Sequence, residues 1–301
     1  MTDDQTIMKI LFCTDGSIQA ENAVRFGAPL AAAFQAETSV LGIAEKTGQE
    51  DAVMAALRRA QDMLKEYHLN PELIAKAGRP VREIVKRSRE THYDLVVIGA
   101  VRKDTQGPLW MSGRAYKIIE SVASPVLVVI GNRSGLRRIL LCTGGTPQAN
   151  QAVLFAGTIA RHVNASVTLF HVLAQPPAIY ARLIEQQEDA DRVLASDSKL
   201  GRTLSHQKKM LDDLGVPGEV HLRHGLVVPE LLKELERTEF DLVVSGSSRS
   251  GDALRQYVMG DVTREIVNRA ELPVLVVRTE TGRTKRRLRD VVSRLIDRSK
   301  G

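Results

Sequence analysis

The chain has 301 residues, 43% of them hydrophobic, 26% charged and 4% aromatic, which is ordinary for a globular protein of about two domains. No run reaches the roughly 18 consecutive apolar residues of a membrane-crossing helix, and the start MTDDQTIMKI carries acids where a signal peptide is basic, so a cytoplasmic protein is expected. The formal charge of +6 is local: between Thr281 and Gly301 eight Arg and Lys face two Asp, which leaves a neutral body and argues against nucleic-acid binding by the folded part.

Taken in order, Met8 to Thr14 (MKILFCT) reads as a first strand, closed by Asp15-Gly16-Ser17, a turn that can also cap a helix. Gln19 to Phe34 places Ala23, Phe26, Leu30 and Ala33 at helical spacing, and Pro29 predicts a kink there. A strand over Thr38 to Glu45, a helix over Asp51 to His68, a strand over Leu73 to Ala77 and a helix from Val81 to Thr91 follow. Then come a strand over Asp94 to Gly99, a polar loop, a helix from Gly113 to Val122 and a strand over Val126 to Ile130. Strands alternating with helices predict a mainly parallel sheet covered on both faces.

After Asn132 to Gly135 the pattern restarts. RILLCTGGTPQANQAVLFAG repeats KILFCTDGSIQAENAVRFGA at an offset of 129, and FDLVVSG repeats YDLVVIG at an offset of 147. The 18 extra residues of the second copy fall between its second and third strands, within Ala174 to Leu214, as surface decoration or as a lid or partner site. Two glycines 14 residues apart recur in both copies, Gly99 with Gly113 and Gly246 with Gly260. Glycine just past a buried strand lets another group approach the backbone, so each copy carries a candidate phosphate cradle. Cys13 and Cys142 occupy matching places and are expected as buried strand residues, not as a disulfide or metal pair.

The residues ILFCTDGS, DLVVIG and DLVVSG, and SPVLVV and LPVLVV, resemble the universal stress protein family in its tandem two-domain form, from Met8 to Arg278. The resemblance implies two doubly wound α/β domains, each a five-stranded parallel sheet in the order 3-2-1-4-5 with helices on both faces. The expected boundaries are 1–133 and 134–280, with 281–301 as a basic amphipathic helix. It also implies contact between the last strands of the two copies, as an internal pseudo-dimer, with a further homodimer as an open alternative. That strand order puts the ligand crevice beyond the carboxyl ends of strands one and four.

Family members that bind ATP carry Gly, two residues, Gly, nine residues, Gly and then Ser or Thr, whose backbone amides and hydroxyl hold the phosphates. Here both copies depart from that pattern. Copy one keeps Asp15 and Gly99, has Arg102 in place of the second glycine, and delivers Gly113 one residue late, followed by Arg114. Copy two keeps Gly246, has Arg249 at the second position, and follows Gly260 with Asp261, an acid that competes with phosphate for helix N-terminal amides. The tentative ATP or anion site is therefore Asp15, Gly99, Arg102, Gly113 and Arg114, with Gly246, Arg249 and Gly260 as a degraded second site. The two arginines of copy one either bind phosphate by charge or lock an emptied cradle by pairing with Asp15 or facing solvent.

Histidines lack metal-binding spacing, and neither a Gly-x-Ser-x-Gly elbow nor a Walker motif occurs, so no metal and no catalytic residue is expected. Trp110 is expected as a lid over the cradle or a contact to the other copy. In the tail, Leu288, Val291, Val292, Leu295 and Ile296 form one apolar stripe among arginines, which suits the chain's own surface, an acidic protein or an anionic membrane. The resulting reading is a non-enzymatic stress-response binding module with ATP as its candidate ligand. A weak nucleotide-hydrolysing enzyme and an adaptor acting through the tail are the alternatives.

Overall fold

The computed structural model describes residues 7–100, 102–103, 110–111, 113–174, 190–248 and 262–279. The tail stripe, most of the copy-two insertion, Arg249, Gly260 and the side chains of Arg102 and Trp110 lie outside the described residues. The first copy runs β1 (Lys9–Thr14), α1 (Ile18–Ala33), β2 (Glu37–Ala44), α2 (Glu50–Lys65), β3 (Glu72–Ala77), α3 (Pro80–Glu90) and β4 (Leu95–Gly99). It continues through β5 (Arg102–Lys103), β6 (Trp110–Met111), α4 (Gly113–Ser121) and β7 (Val126–Val129).

The second copy runs β8 (Arg138–Cys142), α5 (Asn150–Val163), β9 (Ser166–Leu173), α6 (Ala190–Ala195) and α7 (Lys199–Asp213). After these come β10 (Gly218–His224), α8 (Val227–Arg237), β11 (Leu242–Ser248), a helix α9 over 262–269 and β12 (Val274–Thr279).

Ten of these strands form one sheet in the order β10-β9-β8-β11-β12-β7-β4-β1-β2-β3, so each half has the order 3-2-1-4-5. Every neighbouring pair is parallel except the central one, where β7 and β12 run antiparallel with Val126 opposite Val276 and Val128 opposite Val274. Alternate strand residues feed two separate cores. Ile10 and Phe12 pack under α1 and α2, while Leu11 and Cys13 pack under α3 and α4. Each large apolar side chain removed from water in this way contributes about 1.5–3 kcal/mol.

The repeated aspartate of the DLVV motif has a structural task. Asp94, 6% exposed, accepts a hydrogen bond at 2.8 Å from the Lys9 amide, and Asp241 accepts from the amides of Arg137 and Arg138 at 2.7 and 2.9 Å. Each carboxylate thus satisfies backbone donors at the start of its copy's first strand. Between the copies, Phe34 stacks on His162 with centroids 4.2 Å apart, Arg264 lies over the Tyr116 ring, and the Arg278 guanidinium donates to the Ile119 carbonyl.

α1 runs on through Pro29. Two expectations are corrected. α2 stops at Lys65, three residues short of His68, because His68 takes a left-handed φ of 61° that ends the helix. The polar loop after Gly99 is not wholly irregular: β5 and β6 pair antiparallel, Arg102 opposite Met111 and Lys103 opposite Trp110.

Candidate functional site

The end of β1 is built by short-range hydrogen bonds. Thr14 Oγ1 accepts from the Gly16 amide at 3.1 Å, Asp15 Oδ1 accepts from Ser17 at 3.0 Å, and Ser17 Oγ accepts from Ala20 at 3.3 Å as the N-cap of α1. Asp15 is exposed, and Gly16 adopts a φ of +81°. The Asp-Gly-Ser run therefore acts as the turn and cap that its residue types suggest.

Gly99 ends β4, and its need for glycine comes from the fold. A Cβ there would lie 2.2 Å from the Gln19 carbonyl oxygen, so α1 itself occupies the approach. Gly246 is different: its nearest neighbour would be Ala152 Cβ at 3.7 Å, ordinary contact. Gly113, the first residue of α4, has no described residue within 4 Å of a Cβ.

Arg114 does not pair with Asp15. Its guanidinium meets Glu45, just past β2, at 2.9 Å, with the two side chains 58% and 37% exposed. β1 lies between β2 and β4, so this ion pair ties together the two segments that leave the strands flanking it. Such an exposed pair is worth only about 0.2–1 kcal/mol and is weakened by salt.

Gly113, Arg114 and Glu45 open into a groove of about 970 Å³ between α3 and α4 that does not include Asp15 or Gly99. Its α3 wall carries Arg79, Arg82, Lys86 and Arg89, and its α4 wall adds Lys117. The structure thus brings Gly113 and Arg114 together with a row of cations and leaves Asp15 and Gly99 outside it. The row is visible in the sequence as a 3-4-3 spacing, one face of a helix, but it lies beyond the glycine motif and was missed.

The second copy ends its first strand in a filled space. Gln207 of α7 is fully buried. The Thr143 hydroxyl donates to Gln207 Oε1 at 2.8 Å, and Gln207 Nε2 donates to the Thr146 carbonyl and Asn150 Oδ1 at 3.1 and 3.0 Å. His171 Nδ1 donates to the Thr143 carbonyl at 2.8 Å, and burial lowers its pKa below the ordinary value against the opposing effect of that hydrogen bond. A Cβ on Gly145 would lie 2.4 Å from Leu200 and 2.9 Å from His171. Gly16, the matching residue of the first copy, would meet Ala56 at 3.4 Å and the Ala52 carbonyl at 3.9 Å, ordinary contacts.

Both cysteines are free, and burial raises both thiols, Cys142 to about 12. Cys142 is half-buried as a residue while its sulfur is desolvated, and neither thiol is poised as a nucleophile. Among the described residues no group of three His, Cys, Asp or Glu can hold a metal ion, and no helix is long and apolar enough to cross a membrane.

A doubly wound α/β sheet with its crevice beyond β1 and β4 defines the class of fold. Residues 6–129 and 135–278 each match the universal stress protein family, and the chain belongs to that family. A universal stress protein of Methanocaldococcus jannaschii is 25% identical over 151 residues, half of this chain and 87% of the relative. Among solved structures, a universal stress protein from Archaeoglobus fulgidus superposes with a TM-score of 0.69 at 17% identity, covering 90% of this chain and 98% of that one. One from Pseudomonas aeruginosa gives 0.64 at 15% identity, covering 99% of both. At these identities the structures show the shared fold.

Proposed function

We propose that this chain is a non-catalytic binding module of the stress response that takes one nucleotide, with ATP as the first candidate, in its first domain. We assign Asp15, Gly99, Arg102, Gly113 and Arg114 to that site, and Gly246, Arg249 and Gly260 to a second, degenerate one. The functional units are residues 1–133 and 134–280, joined as an internal pseudo-dimer for which the antiparallel pairing of β7 with β12 is the support.

One observation carries the reading: the difference between the two strand ends. Beyond β1, Asp15 is exposed and Gly16 has room; beyond β8, Gln207, Leu200 and His171 fill the corresponding space. A ligand entering the second crevice has to displace a fully hydrogen-bonded side chain, which leaves buried polar groups unpaired.

The test is native mass spectrometry of the full chain with ATP at low salt. One nucleotide per chain is expected, with binding weakened at least tenfold by Arg114→Ala. Two per chain, or none, overturns the reading. Phosphate release that disappears in Asp15→Ala makes the protein an enzyme instead.

A further inference from the structure

We propose that the groove between α3 and α4 of the first domain binds a condensed phosphate chain or a comparably dense small polyphosphate, at a site separate from the nucleotide site above. It shares only its mouth, Gly113 and Arg114, with that site.

The argument begins with charge that has no local purpose. Arg79, Arg82 and Arg89 on α3 and Lys117 on α4 are exposed, line the same groove, and have no ion-pair or hydrogen-bond partner among the described residues. Lys86 stands between them, only loosely matched by Glu90 at 3.9 Å. Like charges at helical i,i+3 and i,i+4 spacing repel one another. A row of four on one face is therefore a standing local cost that an anion in the groove removes. The wider fold does not require it. Arg87, on another face of the same helix, pairs with Glu72 at 2.7 Å and donates to Tyr93 Oη at 2.8 Å, which shows how an arginine on α3 is used when it serves packing.

The second copy supplies an internal control. At the offset of 147, the positions of Arg79, Arg82, Lys86 and Arg89 are Leu226, Pro229, Lys233 and Glu236 on and beside α8. At the same offset Arg114 is replaced by Asp261 and Lys117 by Arg264. Of the four cations on α3 the second copy thus keeps only Lys233, beside Glu236, so the repeated unit does not dictate the row.

Shape and chemistry narrow the occupant. Arg79 to Arg89 spans ten residues, about 15 Å at the helical rise of 1.5 Å per residue, which is longer than a single phosphate ion needs and suits a short chain of them. Guanidinium forks bind phosphate oxygens in pairs. Among the described residues that line the groove none is aromatic, so they offer no platform on which bases stack, unlike the channels that hold single-stranded nucleic acid. Its described apolar lining is Pro80, Val81 and Val85, too little for the large apolar anchors of a helix laid in a groove. The exposed large apolar residues among those described, Ile18, Met54, Tyr67 and Leu226, do not line it, so none of them is a wedge that accompanies the cations toward a lipid interface.

The experiment is isothermal titration of the full-length protein with sodium tripolyphosphate, and with longer polyphosphate, at low and physiological salt. Saturable binding that weakens with salt is expected. The double variant Arg82→Glu, Arg89→Glu lowers the affinity at least tenfold, with ATP affinity changed less than threefold. Both side chains are exposed, and the neutral variant Arg82→Gln, Arg89→Gln gives an intermediate loss with the same unfolding transition as the parent. Unchanged tripolyphosphate binding in the double variant overturns the proposal and moves the site to the basic segment 281–301. Equal loss of ATP and tripolyphosphate overturns it by making the two sites one. Tighter binding by poly-glutamate or a short RNA than by polyphosphate of matched charge also overturns it. A chain that binds tripolyphosphate but no ATP sinks the nucleotide reading and leaves this one standing.

Discussion

Arg114 and Glu45 hold one another at 2.9 Å across the segments that leave β4 and β2. The carboxylate occupies the guanidinium that the sequence offers to a phosphate, so bound anion and Glu45 compete for one partner. Glu45→Gln is expected to raise affinity for ATP severalfold. It should change unfolding free energy by less than about 1 kcal/mol, since the pair is open to solvent. Titration calorimetry and urea unfolding check the two halves separately, and a fall in affinity would show that Glu45 helps to build the site.

Gly99 and Gly246 look equivalent in the sequence and are not equivalent in space. Gly99→Ala drives a methyl against the Gln19 carbonyl, a backbone group that cannot swing away, and is expected to cost about 1–3 kcal/mol or more. Among the described residues Gly246→Ala meets only Ala152 at 3.7 Å, and it is expected to shift stability by less than about 1 kcal/mol. Urea unfolding of the two variants side by side is the measurement.

Gln207→Leu removes the partner of Thr143 Oγ1, Asn150 Oδ1 and the Thr146 carbonyl together. Groups left buried and unpaired cost about 1–3 kcal/mol. Adding Thr143→Val, which removes one of the stranded groups, should recover part of that loss. Lack of recovery in the double variant would assign the effect to shape instead of hydrogen bonding.

His171 predicts a pH dependence with a definite direction. Its folded pKa lies below the ordinary value of 6.5. As pH falls through about 6.5 the unfolded chain takes up a proton first, and stability declines until the folded state also protonates. The stabilising contribution is therefore complete above pH 6.5 and is lost between that value and the lower folded pKa. His171→Gln should flatten this part of the stability profile; an unchanged slope would assign it to other groups.

The fold was largely legible because its signals are local and doubled. Alternating apolar strands, helical spacing and a duplicated DLVV run fix two α/β units, and the strand order follows from the family resemblance. Asp94 illustrates what remained hidden. Its recurrence as Asp241 was visible, but its bond to the Lys9 amide joins residues 85 apart, a distance that no periodicity records. The candidate site was legible only in part for the same reason. Asp-Gly-Ser announced a turn, and Gly113-Arg114 announced a cation at a helix start. That Gly99 faces Gln19, that Arg114 finds Glu45, and that Gln207 fills the second crevice all depend on which helix crosses which strand end. The α3 row is legible in the sequence, since Arg79, Arg82, Lys86 and Arg89 lie at the spacing of one helical face, but it stands outside the glycine motif.

The antiparallel join of β7 and β12 has a consequence beyond holding the sheet together. A sheet of this kind assembled from two identical chains would have to give both halves the same crevice, open twice or filled twice. Here the halves are encoded separately and travel on one polypeptide at fixed stoichiometry. Substitutions such as Gly144 for Asp15, or Leu226 for Arg79, can then accumulate on one side without touching the other. Covalent linkage makes difference between the halves heritable, so one half is free to specialise while the other keeps the scaffold whole.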